Sequence, residues 1–265
     1  MAATELIAEI KENIGFLQLN RPGKGNALSP SLLAEIHLAL AAWQEKEAVR
    51  VVVISGGEGK AFSSGYDIAA IPTDLTTEAA EVLKRGNPLD LALDSIKAFP
   101  FPVIAMINGY CFGAGLNLAL CCDIRIGADH IKAGMPPAKL GAVYHPEGLM
   151  QFAAVIGIAR TREMFFTART YQGAQLLEMG LVHQLVPAEA LLETASQVAR
   201  DIAGNAPLAV SGTKKIINMI EKHPPLSAED RATADKLIFE AFNSDDLREG
   251  QTAFLEKRRP VFTGK

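Results

Sequence analysis

The sequence predicts an α/β chain in which a core of parallel strands and helices precedes a helical tail. Three observations carry that prediction. Two short apolar runs, RVVVIS at 50–55 and PVIAMI at 102–107, show no polar alternation, as expected of strands buried on both faces of a parallel sheet. An amphipathic helical pattern between the first strands and the first of these runs makes a βαβ unit. From about Pro146 onward the pattern is overwhelmingly helical. At 265 residues the chain holds one large domain or a domain with an appendage, because single cores stop growing at about 250 to 300 residues.

Taken in order, LIAEI at 6–10 and IGFLQL at 14–19 flank a turn containing Asn13 and read as paired strands. A loop rich in Gly and Pro follows at 21–26. Ser29 then stands as a helix N-cap with Pro30 at the first helical position, and Leu32, Leu33, Ile36, Leu40 and Trp43 recur at helical spacing. Residues 72–90 are mixed, polar and bounded by Pro and Gly, which predicts a mobile segment or lid over a pocket. The strand at 102–107 ends in Asn108-Gly109 and leads to Gly113-Ala114-Gly115, a helical run at 116–120, and a third strand at 122–126. In the tail, Pro187 opens and Gly204 closes one helix, with further helices near 207–222, 227–243 and 245–258. The division this suggests is a core over 1–200 and a C-terminal helical region over 201–265.

Composition excludes several function classes. Apolar residues make up 49% and charged residues 21%, ordinary for a globular chain. Net charge is −4, from 26 basic and 30 acidic residues, so no cationic excess is available for a phosphate backbone and nucleic acid is not expected as the main partner. The three cysteines, Cys111, Cys121 and Cys122, form neither a disulfide framework nor a CxxC site. They read as small buried apolar residues in a reducing compartment, and the expected location is cytoplasmic. MAATELIAEIKEN places acids before any apolar run, unlike a signal or transit peptide, and no uncharged apolar stretch is long enough to predict a membrane span.

Spacing dismisses several chemistries. The run at 57–61 lacks the first Gly of a P-loop, since position 54 is Ile, and it has Ala61 where a magnesium-binding hydroxyl belongs. A dinucleotide fingerprint at Gly113 fails because position 118 is Leu. No histidine spacing indicates a metal site, and no GxSxG elbow occurs. What remains is a pair of Gly-containing turns, FSSGYDI at 62–68 and NGYCFGAGLN at 108–117. In the second, glycines let the backbone approach a ligand while the next helix turns its N-terminal N–H groups toward it, which suits an oxyanion. The plainer reading is that these glycines only make tight strand-to-helix turns.

Five ordered runs, GKAFSSGYDI, NGYCFGAGLNLALCCDIRI, GMPPAKLGAVYHPEGL, TARTYQGAQLLEMGLVHQLVP and REGQTAFLEKRRPVF, together resemble the enoyl-CoA hydratase/isomerase family, the crotonase superfamily. The resemblance covers about Leu17 to Phe262. It implies the ClpP/crotonase-like spiral of ββα/βαβ units, with a C-terminal helical region that makes a homotrimer or a dimer of trimers. It also implies an acyl-CoA substrate, with coenzyme A as part of the thioester and no permanently bound cofactor. By the same resemblance the backbone N–H groups of Tyr66 and Ala114 form an oxyanion hole for the thioester carbonyl. Main-chain atoms around Ser64, Tyr66 and Ile68 match those holding adenine, and Lys24, Phe254 and Lys257 lie in regions similar to those contacting the CoA phosphates and adenine. Lys257 reads equally as a solvated helix charge.

The departures from the family pattern shape the expected reaction. Hydratases of this family carry two glutamates where this chain has Asn117 and Pro137, and neither can take a proton at neutral pH. LGAVYHPEGL offers Tyr144, His145 and Glu147 instead. This segment and EGQTAFLEKRRPVFTGK resemble the methylmalonyl-CoA decarboxylase-like branch, in which a tyrosine at the position of Tyr144 meets the substrate carboxylate. That branch has histidine where this chain has Tyr66. The leading expectation is therefore decarboxylation of a malonyl-type acyl-CoA, which yields an enolate without a base. The alternative is an enoyl-CoA hydratase, isomerase or acyl-CoA hydrolase using His145 or Glu147, His145 because an ordinary imidazole titrates near neutrality. A non-catalytic CoA- or RNA-binding relative is a further alternative. The structural readings are that Tyr144 packs, His145 fixes a turn before Pro146, Glu147 is a helix-start acid, and Asn117 satisfies buried backbone.

Overall fold

The computed structural model describes residues 4–46, 49–70, 87–140, 142–222, 228–229, 232–233, 236, 244–246, 249, 253, 256 and 258–265. Strands β1 (Leu6–Lys11) and β2 (Ile14–Leu19) pair antiparallel, with Lys11 opposite Ile14. Glu12 and Asn13 between them both take positive φ, 50° and 65°, the backbone of a tight two-residue hairpin turn. Helix α1 (Pro30–Glu45) starts where read: the Ser29 hydroxyl accepts the Leu32 N–H at 3.1 Å, and Pro30 occupies the first turn. Its buried face is Leu32, Leu33, Ile36, Leu40 and Trp43. A Cβ on Gly15 would collide with the Trp43 ring, so β2 keeps a glycine where α1 presses hardest.

The remaining elements follow as β3 (Val51–Ser55), β4 (Ala61–Ser63), α2 (Pro88–Ala98), β5 (Val103–Ile107), β6 (Tyr110–Phe112), α3 (Ala114–Cys121), β7 (Ile124–Ala128), β8 (Lys132–Gly134), α4 (Pro146–Thr167), β9 (Tyr171–Gln172), α5 (Gly173–Glu178), β10 (Gln184–Val186), α6 (Leu191–Ala203) and α7 (Pro207–Lys222). One sheet of six strands runs β1-β2-β3-β5-β7-β10, and a second of four runs β4-β6-β8-β9. β3 lies between β2 and β5, parallel to both, which is why it reads as an unbroken apolar run. The chain visits the sheets alternately: β3 then β4, β5 then β6, β7 then β8. Each turn thus lays one strand in each layer, the spiral of ββα units that the resemblance implies. No helix among the described residues is long and apolar enough to cross a membrane.

The structure corrects several expectations. Residues 72–86 of the anticipated lid lie outside the described residues, but its last residues open α2. Asn87 caps that helix, Pro88 starts it, and Leu89, Ala92, Leu93 and Ile96 are buried, so this part is core rather than cover. The third strand begins at Ile124, not at 122, because Cys122 ends α3. β4, β6 and β8 have three residues each and went unread, being too short to show a period. β9 and β10 interrupt the stretch read as helical, and the helix expected from Pro187 starts with a 3₁₀ turn at Ala188–Ala190. Most of 227–243 and 245–258 lies outside the described residues.

Candidate functional site

The short strands β4 and β6 are parallel neighbours, with Ser63 opposite Cys111, so their C-terminal ends emerge side by side. Each runs into a glycine with positive φ: Gly65 at 107° and Gly113 at 52°. A Cβ on Gly65 would lie 3.1 Å from the Phe112 carbonyl oxygen and 3.7 Å from the Ala114 nitrogen, so the two turns touch backbone to backbone. Ser63 braces the pair by donating to the Asn26 carbonyl at 2.8 Å and accepting the Gly65 N–H at 3.2 Å. Gly115 is glycine because a Cβ there would sit 2.6 Å from the Ser63 hydroxyl oxygen.

Neighbouring amides are spoken for: Leu28 N–H donates to Gly65 O, Asp67 N–H to Leu28 O and Gly113 N–H to Gly134 O. The amides of Tyr66 and Ala114 have no acceptor among the described residues. Two free donors, one at the start of helix α3, can together hold a developing negative charge.

The loop at 21–26 closes over the first turn. Ser64 donates its N–H to Gly25 O at 2.9 Å and its hydroxyl to Lys24 O at 3.3 Å, so Lys24 and Ser64 share one edge of the site. Ile68 opens a 3₁₀ turn at Ile68–Ala70 and is largely exposed, leaving an apolar side chain beside that edge. Two organising residues were missed in the sequence. The Arg21 guanidinium pairs with Asp67 at 3.0 Å and Glu5 at 2.8 Å, while buried Asn26 donates to Gly56 O and Ala61 O at 2.9 Å each. Both looked like loop composition, since their partners are distant in sequence. Phe254 and Lys257, expected near the CoA, lie outside the described residues.

Asn117 is buried one helical turn beyond Ala114, and its side-chain carbonyl accepts the Tyr144 hydroxyl at 2.9 Å. The Tyr144 ring lies between His145 and Phe165, with centroids 4.5 and 5.5 Å away, and burial pushes its phenol far above the ordinary range. Gly148 leaves the space that ring needs. His145 caps α4, its Nδ1 accepting the Gly148 N–H at 3.3 Å, while Nε2 is buried with no partner. Glu147 is exposed in the first turn of α4, and its own backbone N–H, then His145, holds its carboxyl below the ordinary range. Pro137 is buried in a 3₁₀ turn.

Asp90 was not among the candidate residues, because in sequence it falls at the end of the polar segment at 72–90 that reads as a lid, whereas the structure puts it in the first turn of α2. It approaches His145 Nδ1 to 4.0 Å and lines, with Asn117, His145, Glu147 and Gly148, a small cavity of about 40 Å3. Desolvation, then the Glu147 and Asp94 carboxylates, raises its pKa against the opposing pull of His145. The cysteines are buried, and desolvation pushes the Cys121 thiol up to about 12, so none of these sulfurs is a ready nucleophile. The larger cavity, about 1020 Å3, is lined by Phe16, Met106, Tyr110, Lys132 and Leu191 among others and includes none of the candidate site residues.

Comparison with known proteins places the chain in a family. The enoyl-CoA hydratase/isomerase family model matches residues 9–265. A crotonyl-CoA hydratase from Syntrophomonas wolfei is 34% identical over 268 residues, covering 100% of both chains. An (E)-benzylidenesuccinyl-CoA hydratase from Thauera aromatica is 32% identical, covering 97% of this chain and 98% of its own. Among solved structures, an enoyl-CoA hydratase/carnithine racemase from Magnetospirillum magneticum superposes with a TM-score of 0.92 at 32% identity, covering 100% of this chain and 97% of that one. The methylmalonyl-CoA decarboxylase-like branch gains no support from these names.

Proposed function

Because this chain belongs to the enoyl-CoA hydratase/isomerase family, we propose that it adds water reversibly to an enoyl-CoA thioester, holding the carbonyl oxygen between the Tyr66 and Ala114 amides. The observation that carries this reading is the contact of two glycine turns that leaves both amides without an acceptor. An acyl-CoA enzyme of this family needs the site to bind charge more strongly as it develops on the thioester oxygen. Preorganised donors do so at no reorganisation cost, and each is worth about 2.7 to 4 kcal/mol in comparable sites. Hydration, rather than the decarboxylation that leads from sequence, is favoured by the names of the relatives. Asn117 and Pro137 supply no carboxylate, so His145 is the base in this reading. His145 lines the small cavity with Asn117 and Gly148, and its buried Nε2 has no partner among the described residues.

One observation favours a second reading. Tyr144 donates to Asn117 one helical turn from the oxyanion amides, in a site whose glutamate positions are both empty of carboxylate. A malonyl-type acyl-CoA loses carbon dioxide to the same enolate without any base, with Tyr144 meeting its carboxylate. Mass spectrometry of the products separates the two readings, using crotonyl-CoA and longer enoyl-CoAs beside malonyl-, methylmalonyl- and ethylmalonyl-CoA. Gain of one water by an enoyl-CoA supports hydration. Loss of one carbon dioxide from a malonyl-type thioester, weakened by Tyr144→Phe, replaces it with decarboxylation.

A further inference from the structure

We propose that Asp90, carried on α2, is the positioning residue for His145: it stands 4.0 Å from Nδ1, so that Nε2, buried and without a partner among the described residues, is the nitrogen left to take the proton. The inference rests on the hydration reading and deepens it, since it supplies from another helix the carboxylate that Asn117 and Pro137 lack.

The geometry around His145 leads there. If Nδ1 accepts the Gly148 N–H, at a long 3.3 Å, the proton must sit on Nε2, which is buried and has nothing to donate to. If Nδ1 carries the proton instead, it faces the Asp90 carboxylate at 4.0 Å and Glu147 Oε2 at 3.4 Å, and Nε2 becomes a free acceptor. The second arrangement gives up the long Gly148 N–H contact that caps α4, and the two carboxylates beside Nδ1 offset that loss and favour a proton there. Glu147 is the nearer but its side chain is 69% exposed, where water competes for it. Asp90 is less exposed and lines the cavity with Asn117, and its helix is anchored by four buried residues. The charged or titratable groups around His145 are Asp90, Asp94 and Lys97 from α2, Cys121 from α3, and Tyr144 and Glu147 from its own segment.

The step balances. Nε2 takes a proton from water as the oxygen bonds to Cβ of the enoyl group, and the double-bond electrons pass to the thioester oxygen between the two amides. The proton on Nε2 then goes to Cα as the enolate collapses. One water is added and His145 returns to its starting form.

The test measures hydration kinetics across pH for the wild type, Asp90→Asn, Asp90→Glu, Glu147→Gln, His145→Gln and the Asp90→Asn/His145→Gln double variant. Deuterium exchange at Cα of a saturated acyl-CoA is followed in parallel. Asp90→Asn is expected to lower kcat by about tenfold or more with KM changed less than about twofold, a share of what acid–base groups contribute. The acidic limb of its kcat profile should move to lower pH, and Asp90→Glu should recover most of the loss. The double variant should be no slower than His145→Gln alone, because residues acting as a unit are not additive. An unchanged kcat and pH limb in Asp90→Asn, an equal loss in Glu147→Gln, or losses that multiply in the double variant would overturn the proposal. A wild type that hydrates no enoyl-CoA sinks the hydration reading, and the exchange assay then decides separately. Slowing by Asp90→Asn comparable to that by His145→Gln sustains the role of Asp90; unaffected exchange, or none in the wild type, ends it.

Discussion

At the scale of single residues, the small cavity beside His145 is lined by side chains that meet from α2, α3 and α4. Asp90 illustrates the cost. Its ionised form is disfavoured by desolvation first and by Glu147 and Asp94 next, so its pKa in the folded protein lies above the unfolded value. The sign follows by linkage: the folded state binds this proton more tightly, so its contribution to stability is present below the unfolded pKa and is lost as pH rises through the folded one. Asp90→Asn should therefore raise the melting temperature at neutral pH and leave it nearly unchanged in strong acid. A variant that melts lower at neutral pH would show that the charge is stabilising where it stands. Gly148 shows the opposite economy: it is small because Tyr144 and Asn117 already occupy the volume a side chain would need.

At the scale of elements, the site is a product of two three-residue strands. β4 and β6 are too short to contribute much burial, yet their parallel pairing sets Gly65 against Gly113. Gly65→Ala tests this directly. The new methyl group meets the Phe112 carbonyl at 3.1 Å in a backbone conformation that only glycine holds easily, so the turns must separate. Loss of one oxyanion donor predicts a kcat lower by about 10² or more, with the protein still folded by circular dichroism. Retention of full activity would mean that the Tyr66 amide is not part of the site. The start of α1, by contrast, is legible in Ser29-Pro30, while Asn87-Pro88 has the same form, a capping side chain before a proline, inside a segment that reads as a lid.

At the scale of the whole molecule, α7 is tied to the core by specific hydrogen bonds. Lys214 on α7 is 6% exposed and donates to Phe101 O at 3.0 Å and to Asp123 at 2.8 Å, while Asp123 also accepts the Val103 N–H that begins β5. Asn218 adds a bond to Lys97 O at the end of α2. Lys214→Met should cost about 1.5 to 3 kcal/mol in denaturant unfolding, the worth of hydrogen bonds to a charged group. Combined with Asp123→Asn the loss should fall short of the sum, since the two share one interaction. Simple additivity would show that Lys214 and Asp123 are not energetically coupled.

Much of this protein was legible in the chain itself. The apolar runs at β3 and β5, the α1 face and the Ser29 cap are local signals, because burial on both faces of a strand or one face of a helix writes a period into adjacent residues. The glycine turns and the family resemblance were legible too, since φ above zero demands a residue type. The second sheet was not, because strands of three residues carry no period and are stabilised only by their neighbours. Arg21, Asn26 and Asp90 were not, because their partners arrive from other parts of the chain. Sequence by itself determined the class of fold, the start of α1, and the absence of glutamate at 117 and 137. Only the tertiary structure decided that the two glycine turns touch and that Asp90 faces His145, because those are distances between segments that no local pattern encodes.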